Sequence, residues 1–289
     1  MLWLILSLLS GLAVSSQDAC NKKYFSHLSP YQMSAYPLSY SLPLFAIAIL
    51  FVPVPQLDAT FFWCFAVSIP INGAAYLLYM KALKISPLSL TVPYLAFTPA
   101  FMTVTGYLFL DEMPDTWGIS GIFIVCTGGY ILNIDPEKRS FAGPLKAVFR
   151  ETGSWIMLSV AFIFSFCAVI GKKAILHSSP LFFSLSFFLI FNTLMLLFLM
   201  GIRKIDLLSV RKSPLQGIAV GTLLFAEAIL HGWAISLIQA AYMISVKRLS
   251  VVFGVIYGRL IFKEKNIAFR FSGALLMVIG TILIAFQGG

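Results

Sequence analysis

The stretch 22-KKYFSHLSP-30 returns as 172-KKAILHSSP-180, with Lys-Lys, His, Ser and Pro at the same internal spacing, 150 residues further on. In both places the motif closes one apolar run and Ser-Pro opens the next, which suits proline because a first helical turn does not need its missing N–H. A second block repeats as well. Gly106, Glu112, Gly121 and Gly128 are answered by Gly258, Glu264, Gly273 and Gly280, each displaced by 152. A two-residue insertion between the blocks produces this small change of offset. The sequence therefore reads as two copies of one unit, and the fold follows from what one unit contains.

A unit contains apolar runs of the length a bilayer requires. Of the 289 residues, 60% are hydrophobic and 11% charged, and mean hydropathy is +0.93. A hydrocarbon core about 30 Å thick takes roughly 20 apolar residues per helix. The runs predict ten helices, near 2–25, 31–52, 59–81, 87–109, 116–134, 154–176, 181–201, 215–237, 240–262 and 267–286. Ser-Pro at 29–30, 86–87, 179–180 and 213–214, Pro-Val-Pro at 53–55 and the DEMPD turn at 111–115 mark breaks between them. The charged stretch 135–153 connects a first unit, 1–134, to a second, 154–289, each with five helices. An odd number of crossings per unit means that the second copy enters the membrane in the opposite sense. The expected fold is thus an all-α integral membrane protein of two inverted five-helix repeats, an architecture that places substrate sites near the midplane.

Composition excludes several classes. A net charge of +9 would suggest nucleic acid in a soluble chain, but most of the basic residues sit between apolar runs, where a cytoplasmic membrane face explains them. The gaps after odd-numbered helices hold Lys22, Lys23, Lys81, Lys84, Lys138, Arg139, Lys146, Arg150, Arg203, Lys204, Arg211, Lys212, Lys263, Lys265 and Arg270, and the other face holds Lys172 and Lys173. This asymmetry predicts both termini on the non-cytoplasmic side of the cell (inner) membrane. The opening segment lacks a basic leader, and QDAC is a poor cleavage context, so it is read as an uncleaved first helix. Cys20, Cys64, Cys126 and Cys167 show no metal-ligand spacing and read as small apolar-run residues. No cofactor or metal is expected.

The second-copy helix 241-AYMISVKRLSVVFGVIYGRLIFKEK-265 is the counterpart of 89-SLTVPYLAFTPAFMTVTGYLFLDEM-113, and it carries Lys247 and Arg248 where the first copy has Leu95 and Ala96. A charge at the bilayer centre costs about 2.5–3.5 kcal/mol unless it is compensated. The preceding helix brings Glu227 and, one turn on, His231 to similar depth, so the hairpin holds acid, imidazole and cations in one layer. Either these groups form a substrate site, whose surplus positive charge suits a carboxylate or phosphate, or Glu227 forms a salt bridge that only fixes helix packing. Adjacent helical residues point about 100° apart, so Lys247 and Arg248 are expected to serve different partners. Arg259 returns near the face of Arg248 and lies close enough to the cytoplasmic end to snorkel. Softer binding candidates are Asn72, Tyr76 and Tyr79 on the third helix, where Pro70 is expected to loosen the turn, and Tyr94 with Thr98 beside Pro99 on the fourth. Asp18 and Lys22 are spaced for a local ion pair, Glu112 and Glu264 read as helix-end residues, and the glycines of the fifth and tenth helices read as close packing surfaces.

The stretch 79-YMKALKISPLSLTVPYLAFTPAFMTVTGYLFLDEMPDTWGISGIFIVCTGG-129 resembles the EamA-type repeat of the drug/metabolite transporter superfamily, through Ala82, Leu83, Ser86, Pro87, Pro99, Gly106, Leu110, Glu112, Gly121 and Gly128. The second copy matches less fully, with Val251 in the place of Pro99. The resemblance implies a ten-helix carrier whose cavity is walled mainly by helices 3, 4, 8 and 9, with 1 and 6 nearby. Helices 5 and 10 stand apart, pairing with each other or forming a homodimer with a second copy. It implies export or exchange of a small-molecule substrate by alternating access and leaves the solute open. A lipid-headgroup flippase, or a membrane sensor or enzyme on the same scaffold, are the competing readings; no nucleophile with its base and no Gly-rich phosphate loop favours an enzyme.

Overall fold

A computed structural model describes residues 1–86, 91–132, 134, 151–263 and 267–287. Pro87, Glu264, Lys265 and most of the 135–153 connection lie outside the described residues, as do Lys138, Arg139, Lys146 and Arg150. Every regular element among the described residues is helical: α1 Leu2–Phe25, α2 Pro30–Ile49, α3 Ala59–Ile85, α4 Val92–Leu110, α5 Thr116–Leu132, α6 Thr152–Leu176, α7 Pro180–Gly201, α8 Pro214–Ser236, α9 Ala240–Leu260 and α10 Ile267–Gln287. A single turn, Leu207–Val210, is the one unforeseen piece, capped by the Asp206 carboxylate on the Leu208 N–H at 2.9 Å. Seven of these helices, α1, α3, α4 and α6–α9, are long and apolar enough to cross a membrane by length and composition. The polar first half of α2, with Gln32, Ser34, Tyr36, Ser39, Tyr40 and Ser41, lowers its hydropathy, and much of that half is buried.

The repeated Ser-Pro has a local cause. Ser29 Oγ accepts the Gln32 N–H at 3.1 Å and Ser179 Oγ accepts the Phe182 N–H at 3.2 Å, each followed by a proline at the first helical position. Asp58 caps α3 in the same way, accepting from Phe61 N–H at 2.8 Å. That bond, together with His177 at 2.7 Å, holds the Asp58 carboxyl below the usual carboxylate range. The α3 helix runs unbroken through Pro70, contrary to the expectation that it would loosen there.

Two spans are interrupted. In α4 a 3-10 segment, Val92–Phe97, precedes an α-helix, Thr98–Leu110, because Pro99 has no N–H to give and the Thr98 N–H bonds Leu95 O instead. In α9, Ala240–Lys247 and Ser250–Leu260 are separated by Arg248 and Leu249, where Leu249 N–H turns to Val246 O at 3.0 Å and Val251 N–H to Arg248 O at 3.0 Å. The break in α9 falls at the repeat position of the break in α4 although Val251 replaces the proline. Proline alone therefore does not set it. Gly11 of α1 lies against this break, where an added Cβ would stand 2.7 Å from Lys247 O.

The two halves interleave. The α1 helix packs on α8 and α9, α6 packs on α3 and α4, and α5 pairs with α10. In that last pair a Cβ on Gly121 would meet Gly280 O at 2.8 Å and one on Gly128 would meet Gly273 O at 2.6 Å, so the helices run antiparallel with backbones in contact. The connections α2–α3, α4–α5, α6–α7 and α8–α9 share one end of the molecule, tied by Asp58–His177, Glu112–Lys172, Glu112–Ala240 N–H and Asp115–Tyr242. The connections α1–α2, α3–α4 and α7–α8 share the other, tied by Lys84 to Leu28 O, Lys22 to Ser86 O, and Gln32 to Ser209 at 2.6 Å.

Candidate functional site

Between the halves lies a cavity of about 210 Å³ lined by residues of α1–α4 and α6–α9. Its charged layer is built by the α8–α9 hairpin. Glu227 lies two turns before the end of α8, and the end of the first α9 segment returns Lys247 to the same depth. Lys247 Nζ donates to Glu227 Oε1 and to His231 Nδ1 at 2.9 Å. An ammonium has no lone pair, so Nδ1 accepts and the ring proton resides on Nε2. His231 Nδ1 stands 4.0 Å from Glu227 Oε1, and Ser10 Oγ of α1 adds a long contact to the same oxygen at 3.5 Å. Ser10, Glu227 and Lys247 are buried and His231 partly so, and breaking one partner of the Lys247–Glu227 pair would strand the other.

Arg248, at the α9 break, points elsewhere: its Nη2 donates to Thr98 Oγ1 at 2.9 Å. The bond joins the interruption of α9 to that of α4. Lys247 and Arg248 thus have different partners, as their helical spacing requires, yet both line the cavity. A second acid completes the layer. Tyr79 OH of α3 donates to Asp18 Oδ2 of α1, and the carboxylate faces the same space. Asp18 is not paired with Lys22, whose ammonium reaches across to Leu83 O at 3.4 Å and Ser86 O at 2.5 Å. The i,i+4 spacing that suggested a local pair was outweighed by a partner on another helix.

The remaining sequence candidates divide. Asn72 and Tyr76 line the cavity, Asn72 bonding its own helix at Ser68 O (2.9 Å) and Tyr76 reaching Ser34 O (3.4 Å). Tyr94 is buried in the 3-10 half of α4 beside Ser154 and does not line the cavity, and Arg259 is exposed at the end of α9, also away from it. Sequence reasoning missed the contribution of α7. Phe183, Phe187 and Phe191 form a stacked ladder along one wall, with centroids 5.4 and 5.5 Å apart, and Asn192 follows, giving its amide N–H to Ser41 Oγ at 2.9 Å. The i,i+4 spacing of those phenylalanines was visible, but an all-apolar helix shows no face that differs from its lipid side.

Lys172, of the repeated motif, is tied to Glu112. Lys172 Nζ, at the edge of the cavity, bonds Glu112 Oε1 and Ile238 O (2.7 Å), while Glu112 Oε2 accepts the Ala240 N–H at 2.8 Å and so starts α9. The pair fastens the end of α6 to the α4–α5 and α8–α9 connections, which agrees with reading Glu112 as a helix-end residue.

Comparison with known proteins bears on this geometry. The EamA-like transporter family matches the chain twice, over residues 1–134 and 151–286. No curated protein matches the sequence. One solved protein crystal structure superposes with a TM-score of 0.68 at 14% identity, covering 96% of this chain and 95% of its own, a likeness of fold.

Proposed function

The chain belongs to the EamA-like transporter family and is an integral membrane protein, and on that premise we propose that it is a secondary carrier, an exporter or exchanger, moving a small polar solute, anionic or zwitterionic, by alternating access. The observation that carries the proposal is the cavity at the seam of the two halves, with Asp18, Glu227, Lys247 and Arg248 on its wall. Groups so costly at membrane depth are retained where they meet a substrate or an ion.

The reading includes ten membrane crossings as two inverted repeats. Three features support it: α1 sits on α8 and α9 as α6 sits on α3 and α4, connections alternate between two ends, and Gly121 faces Gly280 while Gly128 faces Gly273. That glycine pairing is the one a two-fold axis through the α5–α10 contact demands, because Gly273 and Gly280 are the repeat counterparts of Gly121 and Gly128. Both termini are placed on the non-cytoplasmic face of the cell membrane. A homodimer through α5 and α10 would use their outer faces, where Trp117, Phe123, Leu275 and Ile282 are exposed, since the glycine faces are turned on each other. Purified protein in liposomes, loaded with pooled labelled metabolites, tests the function: at least one polar solute is expected to exchange across the bilayer, and a pool left entirely behind refutes the carrier.

A further inference from the structure

Cations at the end of the molecule that holds the α1–α2, α3–α4 and α7–α8 connections fall into two groups. Lys22 and Lys84 are spent on the bundle itself, donating to the carbonyls of Ser86 and Leu28 and so closing helix ends. Arg203, Lys204, Arg211 and Lys212, four cations within ten residues of the α7–α8 connection, are exposed, and none of them pairs with a carboxylate among the described residues. Lys204 rests over the Tyr31 ring at 5.9 Å. The acid of that connection, Asp206, is used locally, its carboxylate taking the Leu208 N–H at 2.9 Å.

The connection is also held in shape. Gln32, in the first turn of α2, donates from Nε2 to Asp206 O at 2.9 Å and accepts the Asp206 N–H on Oε1 at 2.8 Å, while Tyr36 and Tyr40 donate to Ser209 O at 3.0 Å and Val210 O at 3.2 Å. Clamped in this way, the turn Leu207–Val210 buries Val210 and leaves Leu208 70% exposed between the two pairs of cations. Leu215, in the first turn of α8, is 77% exposed. Both α7 and α8 are long and apolar enough to span a membrane, so the connection sits where they leave the hydrocarbon, at the depth of lipid headgroups. Orienting a chain in a membrane requires only the number of cations on one face, not a clamped turn or an outward leucine between them.

We propose that the α7–α8 connection is a docking surface for anionic phospholipid, with headgroup phosphates on Arg203, Lys204, Arg211 and Lys212 and with Leu208 and Leu215 in the adjoining acyl region. Cations at headgroup level each add about fivefold to the affinity for an anionic lipid surface. A soluble acidic partner is the poorer fit, because leucines exposed at this depth meet lipid. The surface is separate from the central cavity, and it stands whether or not the chain carries a solute.

Apparent affinity is read from thermal stabilisation of the purified full chain in neutral detergent, titrated with dioleoyl phosphatidylglycerol or with dioleoyl phosphatidylcholine, which differ in headgroup charge. The anionic lipid is expected to bind roughly 10²-fold more tightly at about 50 mM salt, and the difference to shrink at about 500 mM as screening shortens the reach of the cations. Arg211→Gln combined with Lys212→Gln is expected to weaken phosphatidylglycerol binding about 25-fold and to leave phosphatidylcholine binding unchanged. Lys23→Gln combined with Lys81→Gln removes the same charge from exposed positions at the same end and is expected to leave both affinities near wild type. Each comparison is between two lipids on one variant, so a general loss of folding cancels. Equal binding of the two lipids, a preference that survives the Arg211 and Lys212 substitutions, or an equal loss from the Lys23 and Lys81 substitutions overturns the proposal. Stabilisation by sn-glycerol 1-phosphate matching that of the lipid would assign the cations to a soluble anion and overturns it too.

Discussion

At the residue scale, the decisive fact is that each ionisable side chain in the central layer has a named partner on a different turn or helix. Lys247 belongs with Glu227 and His231, Asp18 with Tyr79, Arg248 with Thr98. The cost of breaking such a pair one-sidedly exceeds the cost of removing both members, because the survivor stays buried and uncompensated. Glu227→Gln is expected to lower stability by about 3–5 kcal/mol, and Glu227→Gln combined with Lys247→Met to recover much of that loss. Thermal unfolding of the purified variants in detergent checks it; a double variant no more stable than the single one would show that the ion pair is not what holds α8 to α9. The hairpin layer was legible in the sequence, since Glu227, His231 and the two cations lie at matched depth about a tight turn. Asp18 was legible only as an acid near the end of an apolar run, and its spacing from Lys22 pointed to the wrong partner.

At the element scale, two devices recur: interrupted fourth and ninth spans, and glycine faces on α5 and α10. The interruption of α4 was signalled by Pro99, but that of α9 carries no such signal in its own sequence and lies against Gly11 of α1. The glycine faces allow the α5 and α10 backbones to touch, so a side chain there must force them apart. Gly128→Val is expected to cost roughly 1–3 kcal/mol or more through overpacking. Gly201→Ala, where an added Cβ meets nothing within 4 Å, is expected to be neutral or slightly stabilising. Unfolding temperatures of the two variants, measured side by side, separate a packing role from a general intolerance of glycine replacement. The aromatic wall of α7 belongs to the same scale: Phe183, Phe187 and Phe191 are ordinary apolar residues one by one and a surface only when stacked.

At the scale of the whole molecule, the loops sort to two ends, and the proposal that one of them is cytoplasmic rests on the basic residues near Arg203 and Arg211. In a variant with Cys20, Cys64, Cys126 and Cys167 replaced, Gln56→Cys is expected to react with an impermeant maleimide added outside intact cells, and Lys212→Cys only after permeabilisation; the reverse pattern would invert the topology. The sequence by itself determined the solvent, the helical class, the duplication and the local caps, because hydropathy, proline chemistry and repeat spacing are written along one dimension. Only the tertiary structure decided which helices wall the cavity, that Asp18 joins Tyr79 rather than Lys22, and that Asp18 adds a second acid beside Glu227 to the layer of Lys247 and Arg248. The physical reason is that a helix turns its side chains about an axis whose rotation and crossing are fixed by neighbours distant in sequence. In a chain apolar on nearly every face, hydrophobic periodicity does not report that rotation.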